Sequence, residues 1–378
     1  MTMSRFVDSS FASGVALAAM LLLAGCAVTP ETRQSLAGYV QAMDQVESSA
    51  NVFLSEFSNE LKAQEAAARG AGSGAETPPR AEYPAAFTPQ GDPDAPLTAP
   101  DKAVAKTRLA LVVVREYNQA LVALAEGQSD AEVRARVVAF GGALGDFASL
   151  VGTAIPGLSA VTALGPQIVK LAQDAANREQ LVRAVDAGRK PVAEILLDLE
   201  AQTSSMYRVS VVATRQAQTA VQNDIRRTAA TLKALVARYG PPVDAEVARR
   251  AALLQAALAD IGQRTQTLPA LPVPFAFGSG RPAFDAGAEA EAAVFVQALR
   301  GSAQQYAALV ARQNAYYELL GKYVALLRQT QAALDLVAAS LARPVDLGAT
   351  VDRLFKTVFE LRDGLAAYRH PAPGTSQP

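Results

Sequence analysis

The chain has 378 residues, of which half are hydrophobic but only 6% aromatic, so alanine, leucine and valine must form most of its core. This composition is typical of helical bundles, and the length is sufficient for two ordinary domains. Because 35 lysine and arginine residues balance 36 aspartate and glutamate residues, charge favours neither a nucleic-acid partner nor an anionic membrane surface. We therefore expect no nucleic-acid binding.

The N-terminus has the organisation of a secretory signal peptide. Residues 1–10 are polar and carry Arg5, and the run from Phe11 to Ala24 is apolar and uncharged. This run is too short to cross a bilayer comfortably, but it has the length of a signal-peptide core. We predict that the N-terminal segment directs secretion.

The apolar run ends in Leu23-Ala24-Gly25-Cys26, which resembles the lipobox of bacterial lipoprotein precursors. The resemblance implies cleavage after Gly25, so that residues 1–25 are removed. It also implies that the Cys26 sulfur carries diacylglycerol and that the new amine is acylated, for example with palmitate. Each buried methylene contributes about 0.8 kcal/mol, so two or three acyl chains anchor the protein stably. This covalent lipid is the sole cofactor that we expect.

The residue after the cysteine bears on localisation. Ala27 stands where an aspartate retains lipoproteins at the inner membrane in the well-studied sorting system. By the same resemblance, we expect a lipid-anchored protein of the cell envelope, in the outer membrane and facing the periplasm.

Residues 26–69 are predicted to hold the lipidated N-terminus and a first amphipathic helix. Apolar side chains recur there at alternating steps of three and four residues, namely Leu36, Tyr39, Met43, Val46, Ala50, Phe53 and Phe57. Residues 70–100 are rich in proline and glycine, which interrupt both helices and strands. We interpret them as a linker that spaces the body from the anchor, or equally as a disordered loop at a helix tip.

Residues 101–369 are predicted to form a helical bundle, followed by a disordered tail at 370–378. Helix start and stop residues delimit segments that begin at Asp101, at Ser129-Asp130 and near Pro191, and others at 243–267 and 346–368. A coiled-coil seam also alternates steps of three and four, and its members are Val296, Leu299, Ala303, Tyr306, Val310, Gln313, Tyr317, Leu320, Val324, Leu327, Gln331, Leu334, Ala338 and Leu341. The two glutamines are expected to fix the register of the seam.

The segment 137–169 is unusually apolar, with Asp146 as its one charge and Pro156-Gly157 near its middle. It predicts a helical hairpin at one end of an all-α, elongated antiparallel bundle with coiled-coil-like long helices. The hairpin is either part of the core or a contact for a membrane or a partner. Its candidate contact residues are Phe140, Leu144, Phe147, Leu150, Val151, Ile155, Leu158, Val161 and Leu164.

The layout of Phe140 to Leu164 between long helices resembles the apolar tongue of α-helical, cytolysin-type pore-forming toxins. The resemblance implies that these residues insert into a bilayer or contact a partner. A lipidated N-terminus departs from that family, because a permanently anchored toxin could not be delivered.

The inventory of reactive side chains argues against an enzyme. The single histidine, His370, lies in the tail, and the single thiol is that of Cys26, so histidine-based and thiolate sites are excluded. The carboxylate pairs Asp44 with Glu47 and Glu194 with Asp198 are of a kind common on solvated helix faces. We predict a non-catalytic binding, scaffolding or assembly protein with no small-molecule substrate. Its expected partners are the membrane, through the lipid, and a protein or second copy, through helix surfaces; a membrane-active protein that inserts the hairpin is the alternative.

Overall fold

A computed structural model describes residues 30–70, 100–151, 159–242, 244–264, 274–340 and 346–369. These residues form nine helices, α1 Pro30–Gly70, α2 Pro100–Ala125, α3 Asp130–Val151, α4 Ser159–Gln173, α5 Arg178–Ala187, α6 Arg189–Val236, α7 Ala245–Arg264, α8 Ala286–Ser340 and α9 Gly348–Arg369. The predicted all-α helical bundle is confirmed. The predicted signal peptide, Cys26, most of the linker, the hairpin turn at 152–158 and the tail lie outside the described residues.

Capping residues explain where several helices begin. Before α3, the Ser129 backbone N–H and hydroxyl donate to Glu132 Oε2 at 3.0 and 2.7 Å, and the Glu132 N–H donates back to Ser129 Oγ at 3.4 Å. This reciprocal pair is a capping box, and it confirms the predicted helix start. Gly127 ends the preceding helix with a φ of 74°, a left-handed conformation that favours glycine.

Two arginines bind the C-terminal carbonyls of helices other than their own. The Arg178 guanidinium, from the first residue of α5, donates to Gln128 O at 2.9 Å and to Leu124 O at the end of α2. Arg134 of α3 donates to Ala172 O in α4 at 3.1 Å and to Ala175 O just beyond it at 2.8 Å. Carbonyls at a helix C-terminus lack intrahelical partners and carry partial negative charge, so both arginines stabilise helix ends.

The chain divides into two units, and unit 1 takes the described residues within Met1–Asn51, Asp101–Leu199 and Ala325–Val358. In unit 1, α3 packs against α4, and α5 packs against both. Helices α3 and α4 approach closely at Gly141 and Gly165, where a Cβ on Gly165 would lie 2.9 Å from Gly141 O. Phe140, beside this crossing, is buried and its ring centroid lies 5.2 Å from that of Tyr117.

Unit 2 takes the described residues within Val52–Pro100, Glu200–Val324 and Phe359–Pro378. One of its hydrophobic clusters joins the second half of α6, α7 and the first part of α8 around Ile225, Leu258 and Leu299. Beside it, β1 Gly240–Pro242 and β2 Ala283–Phe284 form a short parallel pair in which the Gly240 N–H donates to Pro282 O at 2.6 Å. No period-two pattern indicated these strands, because each is too short to show one.

The predicted apolar stripe of α1 is buried at every position from Leu36 to Phe57. The seam of α8 is buried at Val296, Leu299 and Ala303 and again at Leu320, Val324, Leu327 and Leu334. Its other described positions are partly buried, namely Tyr306, Val310, Gln313, Tyr317, Gln331 and Ala338, and Leu341 lies outside the described residues. A second stripe that includes Tyr316, Leu319 and Tyr323 is buried as well, so this part of α8 packs on two faces. In the middle of the seam, Gln218 Nε2 of α6 donates to Gln313 Oε1 at 3.4 Å, in agreement with a register-fixing role.

Candidate functional site

Unit 1 contains a cavity of about 290 Å³ that opens to solvent. Side chains of α1, α2, α3, α6 and α8 line it, and its apolar part is formed by Val40, Met43, Val46, Leu111, Val114, Val122, Leu196 and Leu327. Helical spacing explains the arrangement, since Met43 and Val46 are three residues apart, as are Leu111 and Val114, so each pair lies on one face of its helix. Most of these side chains would otherwise fill a hydrophobic core, and here they face a void instead.

Charged residues surround the opening of the cavity. Asp44, Glu47 and Glu126 contribute carboxylates, and Arg115 and Arg136 contribute guanidinium groups. Arg115 Nη1 lies 3.0 Å from Glu47 Oε1, which ties α2 to α1.

Arg115 is held by a second carboxylate on its own helix. Its Nη2 lies 2.8 Å from Glu116 Oε1, and the hydrogen bond to Glu116, with the added charge of Glu47, raises the pKa of Arg115. Arg136 Nη1 donates instead to a neutral acceptor, Gln119 Oε1, at 2.7 Å. One of the two cations at the opening is therefore neutralised, and carboxylates outnumber the cations.

Two polar side chains in the walls have buried oxygens without hydrogen-bond partners. Asn118 of α2 is 4% exposed, Thr330 of α8 is 2% exposed, and both line the cavity. Asn118 Oδ1 and Thr330 Oγ1 have no partner in the described part of the chain. Leaving such a group unpaired costs about 1–3 kcal/mol, and buried polar groups in native proteins are usually satisfied. Both oxygens are covered as the side chains stand, and they are the groups in the cavity walls whose hydrogen-bonding capacity is unused.

A buried tyrosine pair lies elsewhere in unit 1. Tyr39 and Tyr117 are almost fully buried, and neither hydroxyl has a hydrogen-bond partner among the described residues. Burial raises the pKa of both phenols, because the charged phenolate would be poorly solvated. Tyr117 borders a much smaller cleft, next to an ion pair in which Arg189 Nη2 lies 2.9 Å from Asp335 Oδ1.

The candidate contact residues of the apolar hairpin fall into three groups. Phe140, Leu144 and Phe147 are buried in unit 1, as the core interpretation requires, whereas Leu150 is 46% exposed and Leu164 is partly buried. The side chains of Val151, Ile155, Leu158 and Val161 lie outside the described residues. Gly141 lies where α3 approaches α4 closely.

The carboxylate pairs considered for catalysis bind cations. Glu47 pairs with Arg115, and Asp198 Oδ2 lies 2.7 Å from Lys106 Nζ. Within the described ranges, no group of three or more histidine, cysteine, aspartate and glutamate side chains is arranged to hold a metal ion. Nor does any helix of those ranges have the length and apolar character needed to cross a membrane. Cys26, Gly25 and His370 lie outside the described residues.

The sequence analysis did not find Asn118 and Thr330. Asn118 lies four residues after Val114 and three before Leu121 on the apolar face of α2, so one polar residue within an apolar stripe was the available signal. Thr330 lies beside the predicted seam, on the second buried stripe of α8, which the sequence analysis did not identify. Comparisons with known proteins found no matching family model, no similar curated protein and no similar solved structure.

Proposed function

We propose that this chain is a lipid-anchored, non-catalytic binding protein of the bacterial cell envelope, held in the outer membrane with its helical body in the periplasm. The lipobox Leu23-Ala24-Gly25-Cys26 supports the anchor. The open cavity of unit 1, with its unpartnered buried oxygens, supports binding and is the observation that carries the proposal. It favours a small ligand, which the sequence analysis did not expect, in addition to a protein partner at the helix surfaces.

The chemistry of the cavity favours binding over catalysis. Its buried polar groups are an amide and a hydroxyl, which neither gain nor lose protons near neutral pH. Two of the ionisable groups at its opening, Arg115 and Glu47, already bind one another. General acid–base catalysis needs a group whose pKa lies near the working pH and within reach of the ligand. The cavity instead offers contacts that hold and orient a molecule.

The anchor is tested with Cys26→Ser in cells grown with radiolabelled palmitate. The variant should carry no label and should leave the membrane fraction, because the thioether to diacylglycerol cannot form. Thr29→Ser, which leaves the lipobox intact, is the matched control and should stay labelled and membrane-bound. Label on the Cys26→Ser protein, or a variant body that remains in the membrane, would refute the lipid anchor.

Binding is tested with methyl-¹³C-methionine in the full chain from residue 26 onward, carrying Cys26→Ser. Met43 and Met206 are the methionines that remain after residue 25, and both are buried. Met43 lines the cavity, whereas Met206 belongs to unit 2. An organic extract of the cell envelope should shift the Met43 methyl signal and leave that of Met206 unchanged. If the Met43 signal does not move, the cavity is not a binding site.

The membrane-active alternative has a physical cost. Releasing the hairpin from unit 1 would expose Phe140, Leu144 and Phe147, each worth about 1.5–3 kcal/mol when buried. Their sum is comparable with the whole stability of an ordinary domain. We therefore expect the Cys26→Ser protein to leave dye-loaded vesicles intact. Dye release that Ala154→Asp and Val161→Asp abolish, with helicity unchanged, would favour the alternative.

A further inference from the structure

We propose that the cavity of unit 1 takes a small uncharged amphipathic molecule: an alcohol or amide on an apolar skeleton, with its polar group hydrogen-bonded to Asn118 and Thr330. This inference rests on the proposed binding function and specifies its ligand class. It follows from the size of the cavity, the unpaired hydrogen-bonding groups in its walls and the distribution of charge around it.

The size and lining of the cavity set the skeleton of the ligand. Its volume of about 290 Å³ is at the lower end of ligand pockets, so the ligand is smaller than most cofactors. Residues such as Met43, Leu111 and Leu327 form the walls, and they gain from contact with apolar rather than polar atoms. The ligand therefore carries a short aliphatic or cyclic hydrocarbon part.

The unpaired wall oxygens set the polar group of the ligand. Asn118 and Thr330 come from different helices, α2 and α8, and both side chains line the same cavity. Their oxygens are covered in the empty cavity, so the proposal requires each side chain to turn when the ligand binds: Asn118 about its broad terminal amide torsion, and Thr330 from one χ1 rotamer to another. The Asn118 amide and the Thr330 hydroxyl each donate and accept. In the proposed complex, a ligand hydroxyl or amide, which also does both, bonds to these two side chains.

Charge excludes the ionised relatives of such a ligand. Neither buried polar residue, Asn118 or Thr330, carries charge, so an ionised head drawn to them would be desolvated without a counter-charge. Of the carboxylates that line the cavity, Glu47 is paired with Arg115, and a carboxylate head would still meet Asp44 and Glu126. Arg136, which donates to the neutral Gln119, is the cation there that such a head could approach, so the two carboxylates outnumber it. An uncharged head avoids both penalties.

The test compares four probes that share one chain and differ in the head group: octanol, octanamide, octanoate and octylammonium. Each is titrated into the full chain from residue 26 with Cys26→Ser, and affinity is read from the Met43 methyl signal, with Met206 as the internal reference. Octanol and octanamide should bind at least about tenfold more tightly than either charged probe, the ratio for a penalty of about 1.4 kcal/mol.

Two variants assign the effect to the wall residues. Asn118→Leu and Thr330→Val should each weaken octanol and octanamide binding by about three- to tenfold, the loss of one hydrogen bond. Thr357→Val is the matched control, because the Thr357 hydroxyl of unit 1 is already bonded to Arg353 O at 2.9 Å; it should leave affinity unchanged. If a variant fails to fold, the comparison of the four probes in the protein that retains Asn118 and Thr330 still tests the proposal.

The outcomes separate this inference from the function on which it rests. If the envelope extract shifts Met43 but the four probes bind equally, or the wall variants bind octanol as tightly as before, water satisfies the oxygens and the assigned ligand class is wrong. If neither the extract nor any probe shifts Met43, the cavity binds no ligand and the binding function itself fails.

Discussion

Replacing Thr330 by valine should stabilise the protein, although it removes a polar group that most helices tolerate. Valine has nearly the same shape, so the walls of the cavity do not have to move. Thr330 is 2% exposed and its hydroxyl has no partner among the described residues, so the substitution removes an unsatisfied group that costs about 1–3 kcal/mol. The methyl group that replaces it adds a further apolar contact of about 0.8 kcal/mol at most.

The assay is urea denaturation followed by circular dichroism, with midpoints compared at equal slope. Thr357→Val is the matched control, because Thr357 is also a buried helical threonine of unit 1 but donates to Arg353 O at 2.9 Å. Its denaturation midpoint should fall, because the substitution removes an existing hydrogen bond; the expected loss in the free energy of unfolding is about 0.5–1.5 kcal/mol. If both variants destabilise to the same extent, Thr330 is satisfied in solution and the reasoning from an unpaired hydroxyl is refuted.

Two further predictions concern the glycine crossing and the buried phenols. Gly165→Ala should destabilise unit 1 by about 1–3 kcal/mol, because the new Cβ would lie 2.9 Å from backbone atoms of α3. Gly142→Ala is the control: its Cβ would meet nothing within 4 Å, so the substitution should stabilise α3 by up to about 1 kcal/mol. Equal denaturation midpoints for the two variants would contradict the close approach of the helices. Burial raises the pKa of Tyr39, Tyr117 and Tyr323 in the folded protein, whereas in the unfolded chain these phenols ionise near pH 10. The free energy of unfolding should therefore fall above about pH 10, by about 1.4 kcal/mol per tyrosine for each pH unit. Phenolate absorbance that rises gradually from that pH, without loss of helicity, would show that these tyrosines are accessible.

Local rules predicted a large part of the fold. The stripe of α1 was correct throughout, because a half-buried helix shows its period of 3.6 residues directly in the sequence. The start of α3 at the Ser129 cap was equally accessible, since a capping box needs residues three positions apart. Both features depend on neighbours along the chain, and sequence patterns record those neighbours well.

Features that depend on distant neighbours were not predictable. The second buried stripe of α8, which includes Tyr316 and Tyr323, also advances in steps of three and four, but periodicity alone does not show on how many faces a helix packs. The cavity has the same origin. Met43 and Leu327 are ordinary core residues in the sequence, and the void between them results from the distance at which their helices pack.

The arginine caps also bear on the order in which the protein is completed. Arg178, which binds the end of α2, lies 54 residues beyond the carbonyl of Leu124 that accepts its hydrogen bond. In a chain that emerges N-terminus first, α2 is complete well before Arg178 arrives. The C-terminal turn of α2 is closed locally, because the Gly127 N–H donates to Leu124 O at 3.2 Å and the Gln128 N–H donates to Ala123 O at 3.0 Å. Arg178 adds a bond from outside the helix when α5 docks. The Arg178 bond therefore makes the full protection of this helix end depend on a segment that follows much later in the chain.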